Sequence, residues 1–271
     1  MKETFLALSI LTILLYACKD ENVINTPELT STQACQDNLT AEREFNDISR
    51  IVEESLKDNG QKISCPTFNL MNTNTSNTNT LIIDFGNRNT GCLYNGKIRS
   101  GKIIVSYIGK YLDSLSVTST TFDNYYANNN LVEGQIIATN KGRNVNGNMW
   151  ITIDIDNASI TTSNGAINWK SNRVREWTHG QDTYFNLSDD KYKITGTAVG
   201  NGVNGNSFTM TIKDTLNVDL SCLPYCVIKS GTSKISPNGY TDRIINYGDS
   251  LCDCNVNVII NDINFPIVIG S

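Results

Sequence analysis

The sequence has little material for familiar catalytic chemistry. Among its 271 residues it contains one histidine, His179, and no Gly-x-Ser-x-Gly motif of the kind that exposes a nucleophilic serine. A triad built on His179 would use Glu176 or Asp182 to orient the ring and would also need a nucleophile nearby. We therefore interpret His179 as a loop residue and predict that the protein is not an enzyme.

Positive charge and metal-binding patterns are also scarce. The 22 lysines and arginines are outnumbered by 27 aspartates and glutamates, which gives a net charge of −5, and the two signs are interspersed. Nucleic-acid binding needs a basic stripe that neutralises phosphates, so the sequence argues against nucleic acid as a partner. The spaced oxygen ligands of an EF-hand are missing as well, and we predict no metal and no cofactor.

Long apolar runs are limited to one, at residues 4–15, close behind Met1 and Lys2. It is too short to span about 30 Å of hydrocarbon and is typical of a signal peptide. The following Leu15-Tyr16-Ala17-Cys18 resembles a bacterial lipobox. The resemblance implies a signal peptide at residues 1–17 and a diacylglycerol on the sulfur of Cys18, and several acyl chains on one residue, palmitate among them, anchor a protein stably. The alternative is an ordinary secretory signal with Cys18 incidental.

Three charged residues directly follow the lipidation site. Lys19, Asp20 and Glu21 resemble the surface-export signal of Bacteroidetes lipoproteins, which implies a lipid anchor in the outer membrane and exposure at the cell surface. The simpler interpretation is a solvated tether, since residues 18–33 are polar, contain Pro27 and show no periodicity, which predicts disorder.

Cysteine is frequent, and export places the thiols in a compartment where disulfides persist. If Cys18 carries lipid, an odd number of cysteines remains and at most three bridges can form within the chain. The remaining seven are Cys35, Cys65, Cys92, Cys222, Cys226, Cys252 and Cys254.

Four of these cysteines form two close pairs near the C-terminus. Four sulfurs could bind zinc, but in an exported chain we favour disulfides. We expect Cys222 or Cys226 to pair with Cys252 or Cys254. A third bridge would join Cys65 to Cys92 or to Cys35.

Residues 34–60 show helical spacing, with Ala41, Phe45 and Ile48 on one apolar stripe and glutamates on other faces. This predicts an amphipathic helix whose stripe packs on the core of the following domain. Residues 61–80 are rich in Asn and Thr, and we predict a linker there.

Residues 81–271 show the pattern of an antiparallel β-domain. Runs of β-branched residues alternate with turn signals such as Asn95-Gly96 and Asn164-Gly165. Two segments, which begin at Glu133-Gly134 and Thr195-Gly196, repeat a strand, Asn-Gly-Asn, strand pattern, and we expect glycines to mark strand ends. The predicted fold is mainly β, an extended antiparallel meander or sandwich of roughly a dozen strands with one N-terminal helix.

Several short strings together resemble an uncharacterised family of Bacteroidetes surface lipoproteins that have a lipobox, a helix and a long antiparallel β-domain. These strings are Ile83-Asp84-Phe85-Gly86, Gly96-Lys97-Ile98-Arg99-Ser100-Gly101-Lys102-Ile103, Phe122-Asp123-Asn124-Tyr125-Tyr126, Val132-Glu133-Gly134, Tyr247-Gly248-Asp249 and Cys252-Asp253. The resemblance covers about residues 81–269 and implies no activity. Cys226 and Cys254 depart from the family pattern.

Acidic and aromatic residues leave two functions open. Asp154 with Asp156, or Asp249 with Asp253, would suit a glycosidase only if placed about 5–10 Å apart across a cleft. Aromatic residues could form a sugar-stacking platform, although we favour core or cross-strand packing for them; they are Trp150, Trp169, Trp177, Tyr125 and Tyr126. We predict a surface lipoprotein that binds a glycan or protein ligand or supports the envelope without catalysis. The alternative is a carbohydrate-binding or glycoside-processing component that uses an acid pair.

Overall fold

The structure is a computed structural model, and it describes residues 30–57, 65–71, 78–183 and 185–269. The predicted signal peptide, Cys18, the export residues Lys19, Asp20 and Glu21, and most of the predicted tether lie outside the described residues.

One α-helix and fourteen antiparallel strands in one sheet make up the described regular structure, apart from short 3-10 turns, and 58% of the chain is strand. The helix, α1, is Gln33–Lys57. The strands are β1 Thr67–Met71, β2 Asn79–Asp84, β3 Cys92–Tyr94, β4 Lys97–Tyr107, β5 Val117–Ala127, β6 Asn130–Arg143, β7 Met149–Thr162, β8 Gly165–His179, β9 Lys191–Asn201, β10 Ser207–Asp219, β11 Ile228–Pro237, β12 Arg243–Asp249, β13 Asn255–Ile260 and β14 Ile263–Val268.

The sheet is a meander in which each strand pairs with its neighbours in sequence, except that β3 pairs only with β4 and β2 also pairs with β4. This confirms the mainly-β fold with one N-terminal helix. Of the two arrangements that the sequence left open, the described residues form the single meander.

The predicted linker at residues 61–80 needs a correction, because it contains β1 and the start of β2. Thr67 pairs with Asp84 and Met71 with Thr80 along a continuous antiparallel register. Backbone hydrogen bonds hold this edge strand, and they do not depend on apolar side chains. β1 is Thr-Phe-Asn-Leu-Met and most of its side chains are exposed, so a short edge strand of this kind shows no buried alternation in its sequence.

The sheet curls around α1. Glu42 accepts a hydrogen bond from Arg173 of β8 at 2.8 Å and one from Tyr247 of β12 at 3.0 Å, while Asp47 bonds Arg99 of β4 at 2.6 Å. Five residues of helix rise only about 7.5 Å. β4 and β12 are eight strand positions apart, which would separate them by about 38 Å in a flat sheet. Only a strongly curved sheet brings both to neighbouring turns of one helix.

The helix runs alongside β8 in the same direction. Near its start Asn38 accepts a hydrogen bond from the Trp169 indole at 3.1 Å, and at its end the Lys57 ammonium lies 5.3 Å from the Trp177 ring centroid. The nineteen-residue step from Asn38 to Lys57 along the helix and the eight-residue step from Trp169 to Trp177 along the strand both cover roughly 26–28 Å. The matched lengths keep α1 in contact with β8 along nearly the whole helix.

Glycines inside strands allow this curvature. Gly101 of β4 has φ of +79°, and a Cβ there would lie 1.9 Å from the carbonyl oxygen of Asn124 on β5. At Gly134, Gly196 and Gly231 a Cβ would likewise lie 2.7, 2.1 and 2.7 Å from backbone atoms of adjacent strands. The strand register shifts at Gly101, Gly134 and Gly231. Such irregularities bend and twist a sheet.

The expectation that glycines mark strand ends is therefore wrong for these four positions. The two segments of the approximate repeat each place their glycine, Gly134 and Gly196, at a strand interior where a neighbouring backbone approaches. The two repeated segments therefore share this close backbone approach as well as the Asn-Gly turn that follows it.

The core lies between α1 and the concave face of the sheet. Phe45, Ile48 and Ile51 are fully buried, and the Phe45 ring stacks on Trp169 with centroids 5.8 Å apart. The same core continues through side chains of β2 at one side to β13 at the other. The apolar stripe of the helix packs on the domain core, as its periodicity predicts.

Three disulfide bonds cross-link the described residues. Cys65 pairs with Cys92, Cys222 with Cys252, and Cys226 with Cys254. These pairings are among the alternatives that the sequence left open, and they leave no thiolate set for the zinc alternative. The odd cysteine is Cys35 of α1, which lies in the core, and burial raises the pKa of its thiol to about 12.

Candidate functional site: a cleft between the helix and the sheet

Acidic residues of α1 meet basic residues of the sheet. Lys97 donates to Glu44 at 2.6 Å, Arg173 binds Glu42, and Arg175 binds Glu53. All these side chains are at most about a tenth exposed. Buried charges are costly unless paired, so the glutamates on the other faces of the helix are held by the sheet and do not face solvent.

Asp47 shows how strongly this interface favours the charged forms. Burial opposes ionisation of its carboxyl, yet Arg99 and Lys97 together lower its pKa below the ordinary value. Arg50 adds a third contact at 2.9 Å from the same helix. The carboxylate is therefore fully engaged by cations of the protein itself.

At the C-terminal end of α1 a second buried carboxyl behaves in the opposite way. Burial raises the pKa of Asp190 to about 6, although the Tyr192 hydroxyl donates to it at 2.9 Å and the Lys57 ammonium lies 3.8 Å away. Burial also raises the pKa of Tyr192 well above its ordinary value. At this end of the interface burial thus outweighs the favourable partners of the Asp190 carboxylate.

Only a narrow stripe of α1 is exposed, formed by Gln36, Arg43 and Asn46. Beside Arg43 and Asn46 a cleft of about 440 Å³ opens between the helix, the β3–β4 hairpin and the concave face from β7 to β13. This volume falls within the roughly 300–1,000 Å³ of ligand sites. Its wall on the sheet side is apolar and includes Ile153, Ile155, Ile194, Leu216, Val218, Val227, Ile228 and Val256.

A disulfide-braced loop forms one rim of the cleft. Leu223, Pro224 and Tyr225 line the cleft between Cys222 and Cys226, and each of these cysteines is bonded to the segment that precedes β13. Leu223 is 37% and Tyr225 66% exposed. Two disulfides within five residues restrict the loop, so these apolar side chains are held at the opening.

The charges inside the cleft are nearly all neutralised by the protein. Glu42 is paired with Arg173, Glu53 with Arg175, and Asp47 with Lys97 and Arg50. Tyr247, whose pKa burial raises well above its ordinary value, donates to Glu42. The cleft thus presents an apolar wall and a closed set of ion pairs.

Two further charged residues line the cleft without an ion pair in the described part of the chain. Arg43 lies on the exposed stripe of α1 and makes no ion pair or hydrogen bond there. Asp253 accepts a hydrogen bond from the backbone of Asn255 at 3.1 Å.

Neither of the two predicted acid pairs lines the cleft as a pair. Asp154 accepts from Asn172 at 2.6 Å and Asp156 from Lys170 at 2.6 Å, both on the outer face of β7 and β8. Asp249 ends β12 and is exposed. Asp253 alone lies at the cleft.

The aromatic residues also divide between the two faces of the sheet. Trp169, Trp177 and Tyr125 are buried on the concave face. Trp150 is half-buried on the outer face, and the Arg88 guanidinium lies 4.2 Å from the centroid of the half-buried Tyr126 ring. These rings do not form a common stacking platform, and His179 is exposed at the end of β8.

Sequence reasoning missed the basic side of the helix–sheet interface. Arg173 and Arg175 are two residues apart, so both face α1 from one strand. Two arginines on the otherwise apolar face of a strand, together with glutamates on an amphipathic helix, are the signal that could have predicted the pairing.

The described ranges contain no cluster of three or more His, Cys, Asp or Glu side chains arranged to hold a metal ion. Within the same ranges, no helix combines the length and apolar character needed to cross a membrane. Comparisons of the chain with protein-family models, curated proteins and solved structures found no match.

Proposed function

We propose that the protein is a lipid-anchored binding protein that holds a small ligand with an apolar body in the cleft, without catalysis. The observation that carries the proposal is the cleft itself, in which an apolar wall faces a mouth braced by two disulfides. Pockets of this size with mostly apolar walls and few polar groups are typical of small-molecule sites.

The apolar wall supports a specific dependence of affinity on ligand length. Each methylene removed from water contributes about 0.8 kcal/mol, or about fourfold in affinity. A homologous series of alcohols should therefore bind with rising affinity until the chain fills the cleft. Because the wall ends at the rim, longer chains should gain nothing more.

This series can be measured by displacement of a solvatochromic dye from the full chain carrying Cys18→Ser, which removes the proposed acylation site. Butanol, hexanol, octanol and decanol serve as probes. Asn46→Trp places a large ring at a position of α1 that lines the cleft and should weaken the binding of every probe. Gln36→Trp is the matched control, since Gln36 is exposed on the same stripe but does not line the cleft. Equal effects of the two variants, or no chain-length dependence, would refute the proposal.

The location remains part of this proposal and rests on the residues around Cys18. We propose an outer-membrane anchor at Cys18 and export to the cell surface directed by Lys19, Asp20 and Glu21, as in the Bacteroidetes lipoproteins that the sequence resembles. Protease treatment of intact cells should cleave the native protein and spare a variant with alanine at those three positions. Protection of both proteins would contradict surface exposure.

A glycan is the second candidate ligand, and one observation favours it. The outer face of the sheet carries a depression of about 820 Å³ lined by both polar and apolar side chains, and its polar residues include Asp156, Asn168, Lys170 and Asn201. Such groups can hydrogen-bond sugar hydroxyls. If this depression binds glycans, Asp156→Asn should reduce retention on a glycan array while Asn46→Trp does not, and an unchanged glycan profile would exclude the site.

A further inference from the structure

We infer that the ligand of the cleft is an amphiphile with an anionic head group, and that Arg43 binds this head group. The inference rests on the proposed function and adds the chemical class of the ligand. It follows from the pairing of the cationic side chains in the cleft, most of which already bind acids of the protein.

Five cationic side chains line the cleft, and four of them bind acids of the protein. Lys97 and Arg50 contact Asp47, Arg173 contacts Glu42, and Arg175 contacts Glu53. Because breaking a buried pair leaves a charge without a partner, these four are poor candidates to bind a ligand. The fifth is Arg43, which the described residues leave without an ion pair.

Arg43 is also placed where a head group would lie. It follows Leu39 by about one turn of α1 and precedes Asn46 by about one turn, and all three line the cleft. Leu39 is buried, whereas Arg43 and Asn46 are exposed. A ligand with its apolar body on the sheet wall and its head at the exposed stripe of the helix would meet the guanidinium at the water boundary.

The chemistry of arginine specifies the head group. Its planar guanidinium offers parallel N–H donors that match the two oxygens of a carboxylate or the oxygens of a phosphate. A neutral head group would leave this cation with water alone. Asp253, which also lines the cleft, opposes an anion, so its neutralisation should act in the opposite direction to loss of Arg43.

Decanoate and decanol test this inference as a pair that shares one apolar chain. Arg43→Gln should lower the affinity for decanoate by roughly three- to tenfold and change the affinity for decanol by less than about twofold. Asp253→Asn should strengthen decanoate slightly and leave decanol unchanged. High salt should weaken decanoate alone, because an exposed charge pair is screened.

Arg88→Gln is the matched control for the loss of one positive charge, since Arg88 is exposed and lies over Tyr126 outside the cleft. It should leave both probes unchanged. Decyl phosphate is measured in parallel with decanoate. The anion whose affinity falls more in Arg43→Gln is the one that the site favours.

If Arg43→Gln affects decanoate and decanol equally, or affects neither, the anionic head group is refuted while the proposed function stands. If neither probe binds the unmutated cleft, the proposed function fails with it.

Discussion

The glycine inside β4 allows a direct test of how the sheet acquires its curvature. Gly101 donates its N–H to the Gly86 carbonyl at 2.7 Å and accepts from the Phe85 N–H at 2.9 Å, while β5 approaches its Cα from the other side. The added methyl group of Gly101→Ala would lie 1.9 Å from the carbonyl oxygen of Asn124. Carbon and oxygen atoms normally approach no closer than about 3.3 Å, so β4 and β5 would have to separate by more than 1 Å.

The size of the effect can be isolated with a second glycine. Gly96 lies in the β3–β4 turn with φ of +76°, nearly the φ of +79° at Gly101, but a Cβ there meets nothing within 4 Å. Gly96→Ala should therefore lose only the roughly 1–2 kcal/mol of the left-handed conformation. Gly101→Ala loses the same amount and about 1–3 kcal/mol more for the forced contact.

Urea denaturation of both variants measures this difference. Because the gain from a less flexible unfolded chain is the same for both alanines, it cancels when the two free energies of unfolding are compared. Equal losses of stability in Gly96→Ala and Gly101→Ala would refute the argument that close approach of the backbone requires glycine in β4.

Three further predictions concern the helix, its C-terminal end and the rim of the cleft. Glu42→Gln leaves the buried Arg173 without its anion and should lower the free energy of unfolding, measured in urea, by about 3–5 kcal/mol. Lys170→Gln breaks the exposed pair with Asp156 and should change that free energy little, so equal losses in the two variants would contradict a role for burial. The folded state holds the Asp190 proton more tightly than the unfolded state, so the contribution of Asp190 to the free energy of unfolding should fall as pH rises from about 4 to about 7. Asp190→Asn should flatten that slope in denaturation series across this range, and an unchanged slope would remove Asp190 as its cause. Replacing Cys226 and Cys254 by alanine should free the rim loop and weaken decanol binding in the dye assay. Alanine at Cys65 and Cys92, which do not line the cleft, should leave decanol binding unchanged, and a loss of binding in both double variants would show a general loss of stability instead.

The sequence predicted those parts of the fold that depend on side-chain periodicity. Ala41, Phe45 and Ile48 repeat with the helical period, and Asn-Gly pairs mark the hairpin turns, so the helix and the antiparallel meander followed. The sequence could not show that the sheet curls, because a glycine that permits close approach inside a strand looks the same as one that ends a strand. Gly101 and Gly196 differ from turn glycines only through the backbone opposite them.

The candidate site was less predictable because its residues belong to distant segments. Glutamates on a helix ordinarily face water, and nothing near Glu42 in sequence indicates that Arg173 lies across from it. The cleft likewise combines Arg43 of α1 with a loop about 180 residues later. Contacts over such separations are set by strand order and curvature, neither of which is encoded in a local pattern.

The position of α1 at the centre of a meander governs when the protein can finish folding. The helix comes before every strand in the chain, yet its Glu42 needs Tyr247, which lies 205 residues later, and Arg243 bonds the backbone of Ser31 over 212 residues. Contacts of such long range slow folding and form late. During synthesis the acidic and apolar faces of the helix therefore both stay uncovered until β12 has emerged. A chain shortened by its last three strands should lose the order of its first helix along with the strands themselves.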